Sequence, residues 1–545
     1  MNFKKFLALL LALSMIICAL AACSSGGDDD DDDDEKQEEK EGEEADLGDL
    51  GNLIGSIGND SGNSDSSQPV ERPDQDATVT DPQYPNADYS GNEFTFLVIK
   101  YSDVIKDYYG GPYIDSEAIN GNKINDAVFN RNLAVEQRYN VEINERVEVG
   151  QDPSDVLGAY FRSGDFCFDA IYGWGYKMGA CIPENYFADM ASLPNVDLTK
   201  DYWAPSAVED LMINGKLYIA ANDISMNRLD WANMLYFNKN TYEDFKIEAS
   251  FGNIYDLVRS GKWTLDTFLN MVKSVSRDLD GVSGISKDDV FGLIDGSADG
   301  SAYLSALGVN LTTGTDDGFQ ELTVYNEKTL DIMNKIYPVF SNNSYVKSYN
   351  EIIYSADDIS GYDDQYQYAR SVFTTDHALF LSGAPNLASE TAFRNMESEY
   401  GIVPMPKYDE NQANYVSEVS SLASVFAIPS TVRSDIGSME RTGMILEYMA
   451  FKSNEIVRPV YYDEILKGQS PSGNDAQMLD IIWNTTHYEI SSVCIASDSP
   501  NSLSPYALAQ RMFQQPRSAA STYNSQKTKV QKELNDYFKK VAQLP

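Results

Sequence analysis

The stretch 93–172 alternates strand and helix patterns, and this alternation restricts the fold more than any other feature of the chain. Three runs rich in apolar and β-branched residues predict strands at 93–100, 141–149 and 168–172. Two segments with helical spacing or helix start and stop signals, 124–139 and 153–163, lie between them. Strand, helix, strand, helix, strand is the pattern of a parallel sheet with helices on its faces. The sequence therefore predicts an α/β fold.

The carboxyl end of the third predicted strand is the first candidate binding edge. Ligands of parallel α/β sheets gather beyond the carboxyl ends of the strands. Tyr172, Gly173 and Trp174 lie at this end, so Tyr172 and Trp174 are candidate solute contacts. A position in the hydrophobic core is an equally good interpretation of Trp174.

A polar stretch with an aromatic residue separates the next two predicted strands, 215–221 and 234–238. It includes Asn222, Asp223 and Trp231. Amide and carboxylate groups beside an aromatic ring can hydrogen-bond and cover a polar ligand. We therefore take these three residues as further candidate contacts.

The first 23 residues have the features of an export signal. Lys4 and Lys5 precede an apolar run over 6–20, and small residues lead to Cys23. The run is too short and wrongly flanked for a stable membrane span. Residues 20–23 resemble the lipobox of bacterial lipoproteins, which implies that a signal peptide, 1–22, is removed and that Cys23 is lipidated, for example with palmitate. The alternative is an ordinary secretory signal with a chance cysteine.

An acidic segment, 23–92, follows the expected cleavage site. Seven consecutive aspartates occupy 28–34, and 24–92 contains 22 acidic and three basic residues, which is a net charge of −19 within a chain total of −43. Such a composition predicts a disordered, extended spacer, with loose divalent-cation binding as the alternative. The remainder of the chain is also acidic, which argues against nucleic acid or anionic lipid as a partner.

The remaining part, 93–545, is too long for one hydrophobic core and predicts two domains. It contains three cysteines, Cys167, Cys181 and Cys494. Because three is an odd number, at most one disulfide can form within this part and at least one thiol stays free.

Several motifs, in this order and spacing, resemble the extracellular solute-binding proteins of ABC transporters, in the group that contains many oligosaccharide binders. They are Gly-Lys-Leu-Tyr (215–218), Leu-Tyr-Phe-Asn-Lys-Asn (235–240), Trp-Thr-Leu-Asp-Thr-Phe (263–268), His-Ala-Leu-Phe-Leu-Ser-Gly (377–383), Tyr-Gly-Ile-Val-Pro-Met-Pro (400–406) and Ser-Val-Phe-Ala-Ile-Pro (424–429). The resemblance covers nearly all of the part expected to fold.

The resemblance implies a two-lobe, periplasmic-binding-protein-like α/β fold with hinge-crossing strands and a cleft between the lobes. Carried onto this chain, lobe 1 is 93–233 with 421–456, and lobe 2 is 234–420 with 457–545. The implied function is that of a lipid-anchored monomer on the extracellular face of the cytoplasmic membrane. It would capture a small polar solute, above all a carbohydrate, by lobe closure and deliver it to an ABC permease without a cofactor.

Asn386 and Glu418 complete the set of candidate solute contacts, and a structural role is at least as compatible with the sequence for every member of the set. The chain also departs from the family. Relatives often carry a tryptophan after the strand that here ends at Gly383, where this chain has Ala384, Pro385 and Asn386. A calcium-like loop at 278–289 has Val282 at a ligand position, so a polar turn is expected rather than a metal site.

Catalysis has little support in the sequence, and we expect no enzyme. The chain has two histidines, His377 and His487, and lacks zinc-protease, nucleophile-elbow and phosphate-loop motifs. Three alternatives stay open: a lipid-anchored hydrolase of cell-surface glycan, a binder of peptides or polyamines, and a sensory binding module without a permease.

Overall fold

The computed structural model describes residues 86–100, 114–116, 119–150, 152–279, 281, 289–295, 300–348, 361–362, 365–466, 473–495 and 502–545. The expected signal peptide, Cys23, nearly all of the acidic spacer and most of the calcium-like loop at 278–289 lie outside these residues.

The strands, in chain order, are β1 (Asn92–Lys100), β2 (Val141–Val149), β3 (Ala170–Trp174), β4 (Met234–Asn238), β5 (Phe291–Asp295), β6 (Thr312–Gly314), β7 (Gln320–Leu322), β8 (Val346–Ser348), β9 (Ala378–Gly383), β10 (Tyr400–Pro404), β11 (Ser417–Glu418), β12 (Ser424–Ala427) and β13 (Thr486–His487). The α-helices are α1 (Lys123–Tyr139), α2 (Pro153–Ser163), α3 (Gly175–Cys181), α4 (Pro205–Leu211), α5 (Asn227–Asp230), α6 (Lys239–Asp244), α7 (Ile247–Phe251), α8 (Ile254–Arg259), α9 (Leu265–Ser274), α10 (Gly300–Ala306), α11 (Glu327–Phe340), α12 (Gln365–Thr374), α13 (Thr391–Arg394), α14 (Ile436–Lys452), α15 (Arg458–Leu466), α16 (Gly473–Asn484), α17 (Ile490–Cys494), α18 (Pro505–Gln514) and α19 (Ala519–Val541). Short 3₁₀ turns lie at Ile182–Glu184, Met190–Ser192, Asp201–Trp203, Pro385–Ser389, Ser430–Ser434 and Pro516–Ser518, and a π-turn lies at Ser453–Val457.

The first sheet has the strand order β12-β3-β1-β2. Strands β1, β2 and β3 are parallel, and β12 joins β3 as an antiparallel edge strand. Helices α1 and α2 connect the parallel strands, and each begins at a polar N-cap residue, Asn122 or Asp152, whose side chain accepts a backbone N–H. The α/β pattern predicted from 93–172 is therefore confirmed.

The second sheet has the strand order β10-β4-β9-β5-β8 and mixes parallel and antiparallel pairs. Strands β10 and β9 both run antiparallel to β4, whereas β5 runs parallel to β9 and to β8. Side chains of β4 and β10 are buried along their whole length. The chain thus forms two separate α/β sheets, as the two-lobe expectation requires.

Two segments carry the chain between the sheets, and we call them the crossing segments. The outward one, 231–233, leads into β4, and the return one, 417–423, contains β11 and leads into β12. They run antiparallel, with a bridge between Ala232 and Val419. The expected passage of the chain back and forth between two α/β parts is therefore confirmed.

The predicted strand at 215–221 is wrong. Only isolated bridges occur there, one between Ile213 and Lys216 and one between Ala220 and Phe426. The backbone N–H of Leu217 donates to the Asp189 carboxylate at 2.8 Å instead of to a neighbouring strand. The apolar run reflects burial in the core, because Leu217 is 0 % exposed.

The C-terminal region packs against β10 of the second sheet and against helices that follow β3 and β5. Strand β13 pairs in parallel with β11 and so adds a third strand beside the crossing segments. Helix α17 packs against α3, α18 packs against α10, and α19 packs against both β7 and the 182–184 turn. Tyr537 Oη of α19 donates to the Gly179 carbonyl at 2.6 Å.

Cys167, Cys181 and Cys494 are all free thiols. Burial raises the pKa of Cys181 and of Cys494 to about 12, so neither forms a thiolate near neutral pH. In the part of the chain that the structure describes, no helix combines the length and the apolar character needed to cross a membrane.

Candidate functional site

The end of β3 is held directly against the return crossing segment. The backbone N–H of Gly175 donates to the Ala423 carbonyl at 3.0 Å, and that of Tyr176 donates to the Ser421 carbonyl at 2.9 Å. A side chain at position 175 would collide with this backbone, because a Cβ there would lie 2.7 Å from the Ala423 carbonyl oxygen. Trp174, which is 6 % exposed, is thereby fixed beside the crossing segment, with its ring stacked on that of Tyr176.

Tyr172 ties the polar loop, which we define as 222–231, to the first sheet. Its hydroxyl and the Ser225 hydroxyl are 2.6 Å apart, and its ring lies 4.8 Å from that of Phe426 in the edge strand β12. Complete burial raises the pKa of the Tyr172 phenol well above its ordinary value. Tyr172 therefore stays neutral and positions the loop.

Asn222 and Asp223 are also engaged inside the protein. Asn222 Oδ1 accepts the backbone N–H of Ile224 at 3.0 Å. The Asp223 carboxylate, 2 % exposed, faces two guanidinium groups, those of Arg228 at 3.6 Å and Arg458 at 3.1 Å. Asn454 Nδ2 donates to the same carboxylate at 2.7 Å. Asp223 thus links the polar loop to the start of α15.

Arg228 lies at the centre of this cluster and is almost completely buried. Burial lowers the pKa of its guanidinium, and the Asp223 charge opposes that effect. One of its nitrogens donates to the Thr486 hydroxyl of β13 at 3.0 Å. The polar loop is therefore attached both to α15 and to the strand beside the crossing segments.

Trp231 and Glu418 lie on the two crossing segments themselves. Trp231 is 9 % exposed, and its carbonyl accepts the backbone N–H of Ser420 at 3.0 Å. The buried Glu418 carboxylate accepts the Ser301 hydroxyl at 2.8 Å and also the Ser305 hydroxyl, both from α10. Glu418 thereby joins the crossing region to an element beside the second sheet.

We call the region around the crossing segments, 231–233 and 417–423, the junction. Asn386 approaches it from the side of the second sheet. It lies in the Pro385–Ser389 turn after β9 and is half-buried. This turn packs against α5 of the polar loop and against α15. The structure therefore brings the loop that follows β9 to the loop that follows the first sheet, although the two are far apart in sequence.

The candidates thus meet around one junction but differ in what they do there. Tyr172, Asn222, Asp223 and Glu418 use their polar atoms on protein partners and so hold the junction together. The sequence analysis missed Arg458 and Asn454, because a pairing across more than 200 positions leaves no local pattern. Tyr461 is buried, and its hydroxyl donates to the Asp230 carboxylate.

Each of the two histidines has a polar neighbour. His377 Nδ1 lies 3.0 Å from the Thr375 hydroxyl, and His487 Nδ1 lies 3.1 Å from the Asp210 carboxylate. Over the described ranges, His, Cys, Asp and Glu side chains form no group of three or more that could hold a metal ion.

Solved structures similar to this chain include solute-binding proteins of ABC transporters and sugar-binding proteins. One is a cyclo/maltodextrin-binding protein complexed with maltotetraose, with 13% identity over 81% of this chain and 97% of that chain and a TM-score of 0.49. The substrate-binding protein Lmo0181 from Listeria monocytogenes, in complex with cycloalternan, has 12% identity over 84% of this chain and 100% of its own, with a TM-score of 0.47. A solute-binding protein from Thermotoga lettingae, bound with α-D-tagatose, has 13% identity over 82% and 100%, also at a TM-score of 0.47. No protein-family model and no curated protein sequence matches the chain.

Proposed function

We propose that this protein captures a small polar solute between two α/β lobes and passes it to the permease of an ABC transporter. The observation that carries the proposal is the junction of the two sheets. A short outward segment leads into β4 and a short return segment leads into β12, and the two are paired at Ala232 and Val419. Aromatic and polar side chains lie around this junction, and they come from the end of β3, from the polar loop and from the turn after β9. Lobe 1 would be 93–233 with 421–456, and lobe 2 would be 234–420 with 457–545.

The mechanism follows from this geometry. Two rigid sheets joined by a few residues can rotate about the joint, which is the hinge type of domain motion. A solute that touches both lobes stabilises the closed arrangement by the difference between its affinities for the closed and open forms. The permease would then receive the closed, loaded form, and the protein itself would catalyse no reaction.

Carbohydrate is the solute class that suits the junction best. Aromatic rings cover the apolar faces of sugars, and Trp174 and Trp231 lie at the end of β3 and on the outward crossing segment. Amide groups bond sugar hydroxyls, and Asn386 supplies such a group in the turn after β9. A peptide or a polyamine is the second solute class, because the chain is strongly acidic.

A thermal-shift screen with sugars, oligosaccharides, peptides and polyamines tests the proposal. A ligand present at about 100 times its dissociation constant stabilises the folded state by about 2.7 kcal/mol. We expect a concentration-dependent shift from at least one carbohydrate. A shift from peptides alone would replace the solute class, and no shift from any compound would refute solute capture.

We further propose that Cys23 anchors the protein outside the cytoplasmic membrane through its lipid, with the acidic segment as a spacer. Lipidation would require the chain to be cut before Cys23. Cells fed an alkyne-bearing palmitate analogue should label the protein, and Cys23→Ser should abolish the label. Equal labelling of Cys23→Ser would refute the anchor at this position.

A further inference from the structure

A buried indole N–H lies beside the junction without a hydrogen-bond partner. Trp483, near the end of α16, is 5 % exposed, and its Nε1 contacts no acceptor within the described ranges. Leaving a buried donor unpaired is unfavourable, so such groups are rare in folded proteins. An acceptor on a bound solute would satisfy this donor.

The surroundings of Trp483 connect it to the candidate site. Its ring lies 5.9 Å from the ring of Tyr461 and 5.1 Å from that of Tyr462, both on α15. Tyr461 Oη donates to the Asp230 carboxylate, which adjoins Trp231 in the polar loop. The same helix α15 packs against the turn that contains Asn386. Tyr461 therefore lies between Trp483 and the polar loop, and the helix that carries Tyr461 also contacts the turn after β9.

Hydrogen bonds also connect the Trp483 segment to the polar loop and to the return crossing segment. The hydroxyl of Thr486, three residues after Trp483, donates to the Trp483 carbonyl at 3.2 Å and accepts from Arg228 at 3.0 Å. Thr486 belongs to β13, which pairs with β11 of the return crossing segment. The chain that carries Trp483 is therefore bonded both to the return crossing segment and to the polar loop.

We propose that Trp483 is a further solute-binding residue, and that its indole N–H donates to a hydroxyl oxygen of the captured sugar. This inference rests on the proposed function. A sugar hydroxyl is a neutral acceptor, and it can meet a buried indole N–H without bringing a charge into the protein. The site would then have a third wall, supplied by α15 and α16, in addition to the polar loop and the turn after β9.

The five tryptophans make this assignment measurable in the intact protein. Each indole N–H gives one signal in a proton–nitrogen spectrum, and tryptophan-to-phenylalanine variants assign the signals. Two tryptophans serve as internal references, since Trp203 Nε1 donates to Glu447 at 2.6 Å and Trp263 Nε1 donates to the Pro404 carbonyl at 2.8 Å. Both are 0 % exposed. On titration with the sugar found in the screen, we expect the Trp483 signal to move and its hydrogen exchange to slow, while the two reference signals stay in place.

Trp483→Phe provides the second measurement, and Trp203→Phe is its matched control. Both changes remove an indole and leave a smaller ring, so both cost packing. Only Trp483→Phe should also weaken sugar binding, by about fivefold for one lost hydrogen bond, as measured by calorimetry. Trp203→Phe should bind within about twofold of the parent, because its lost partner is Glu447 and not the solute.

The outcomes separate the two proposals. If no compound binds or moves any indole signal, the proposed function fails. If a sugar binds and moves the Trp174 and Trp231 signals but leaves that of Trp483 unchanged, the proposed function stands and this inference is overturned. If Trp483→Phe does not fold, the spectrum of the unaltered protein still decides the question, because phenylalanine variants of the other four tryptophans assign the Trp483 signal by elimination.

Discussion

The carbonyl of Glu418 accepts two hydrogen bonds from Asn233, one from its backbone N–H at 2.9 Å and one from its side-chain Nδ2 at 2.8 Å. Asn233 lies on the outward crossing segment, and Glu418 lies on the return one. This residue pair therefore adds to the Ala232–Val419 bridge in holding together the two stretches of chain that join the sheets. This arrangement limits how far the crossing segments can separate.

Asn233→Ala keeps the backbone bond and removes the side-chain bond. We expect a loss of about 0.5–1.5 kcal/mol of unfolding free energy, because the interaction is buried but neutral. Urea denaturation measures the loss. Asn411→Ala, at an exposed turn where the side chain bonds only to Asp409, should change stability by less than about 0.5 kcal/mol. Equal effects of the two changes would contradict the account of the crossing segments.

Gly175→Ala should damage the contact between β3 and the return crossing segment. The added Cβ would lie 2.7 Å from the Ala423 carbonyl oxygen and 2.9 Å from that of Ser421, and neither backbone atom can turn away. We expect a cost of about 1–3 kcal/mol. Gly437→Ala is the control, because its Cβ would meet only Asp435 at 3.6 Å in the first turn of α14. That change should be neutral or stabilising by up to about 1 kcal/mol.

Asp223→Asn tests the shared carboxylate in the polar loop. Removing the charge leaves the buried Arg228 and the neighbouring Arg458 without their common counter-ion. The expected destabilisation is about 3–5 kcal/mol, as for other buried ion pairs broken on one side. Asp256→Asn, at an exposed pair with Arg259, should cost no more than about 0.5 kcal/mol. A small effect at position 223 would show that the two arginines find another partner.

The His487–Asp210 pair makes stability depend on pH. Burial opposes the imidazolium charge, but the hydrogen bond and charge of Asp210, together with the charges of Glu418 and Glu489, raise the pKa of His487 to about 9. Because the folded state binds this proton more tightly than the unfolded state, the contribution is fully present below about pH 6.5 and disappears as the pH rises through about 9.

We expect the difference in unfolding free energy between the parent protein and His487→Gln to shrink between pH 6.5 and 9. Since this side chain is 29% exposed, solvent screening limits the contribution, and we expect no more than about 2 kcal/mol. Urea denaturation at closely spaced pH values measures it. A difference that stays constant across this range would show that His487 is not protonated in the folded protein at neutral pH.

The local structure around β1, β2 and β3 could be predicted from the sequence because each element there carries its own pattern. Helix α9, beyond these strands, also follows a local pattern, since threonine is a favoured N-cap residue and the Thr264 side chain accepts the Thr267 N–H. The stretch 215–221 misled the prediction because an apolar run signals burial without saying which backbone groups pair. In the structure its first apolar residue bonds to an aspartate side chain.

The candidate site could be predicted only in part, for a related reason. The polar loop is visible in the sequence as a cluster of Asn, Asp and Trp, and the structure brings it to the crossing segments. The partnership of Asp223 with Arg458 joins residues 235 positions apart, so neither local composition nor spacing indicates it. Trp483 could not be predicted as a site residue for the same reason, because its position near the polar loop depends on the tertiary packing of α15 and α16.

Small-angle X-ray scattering with and without a bound sugar tests the central claim most directly. The account predicts that a sugar identified by the thermal-shift screen reduces the radius of gyration, with a midpoint at the dissociation constant from calorimetry, and that a non-binding sugar has no effect. A sugar that binds while the scattering profile remains superimposable on that of the free protein would contradict capture by closure of two lobes.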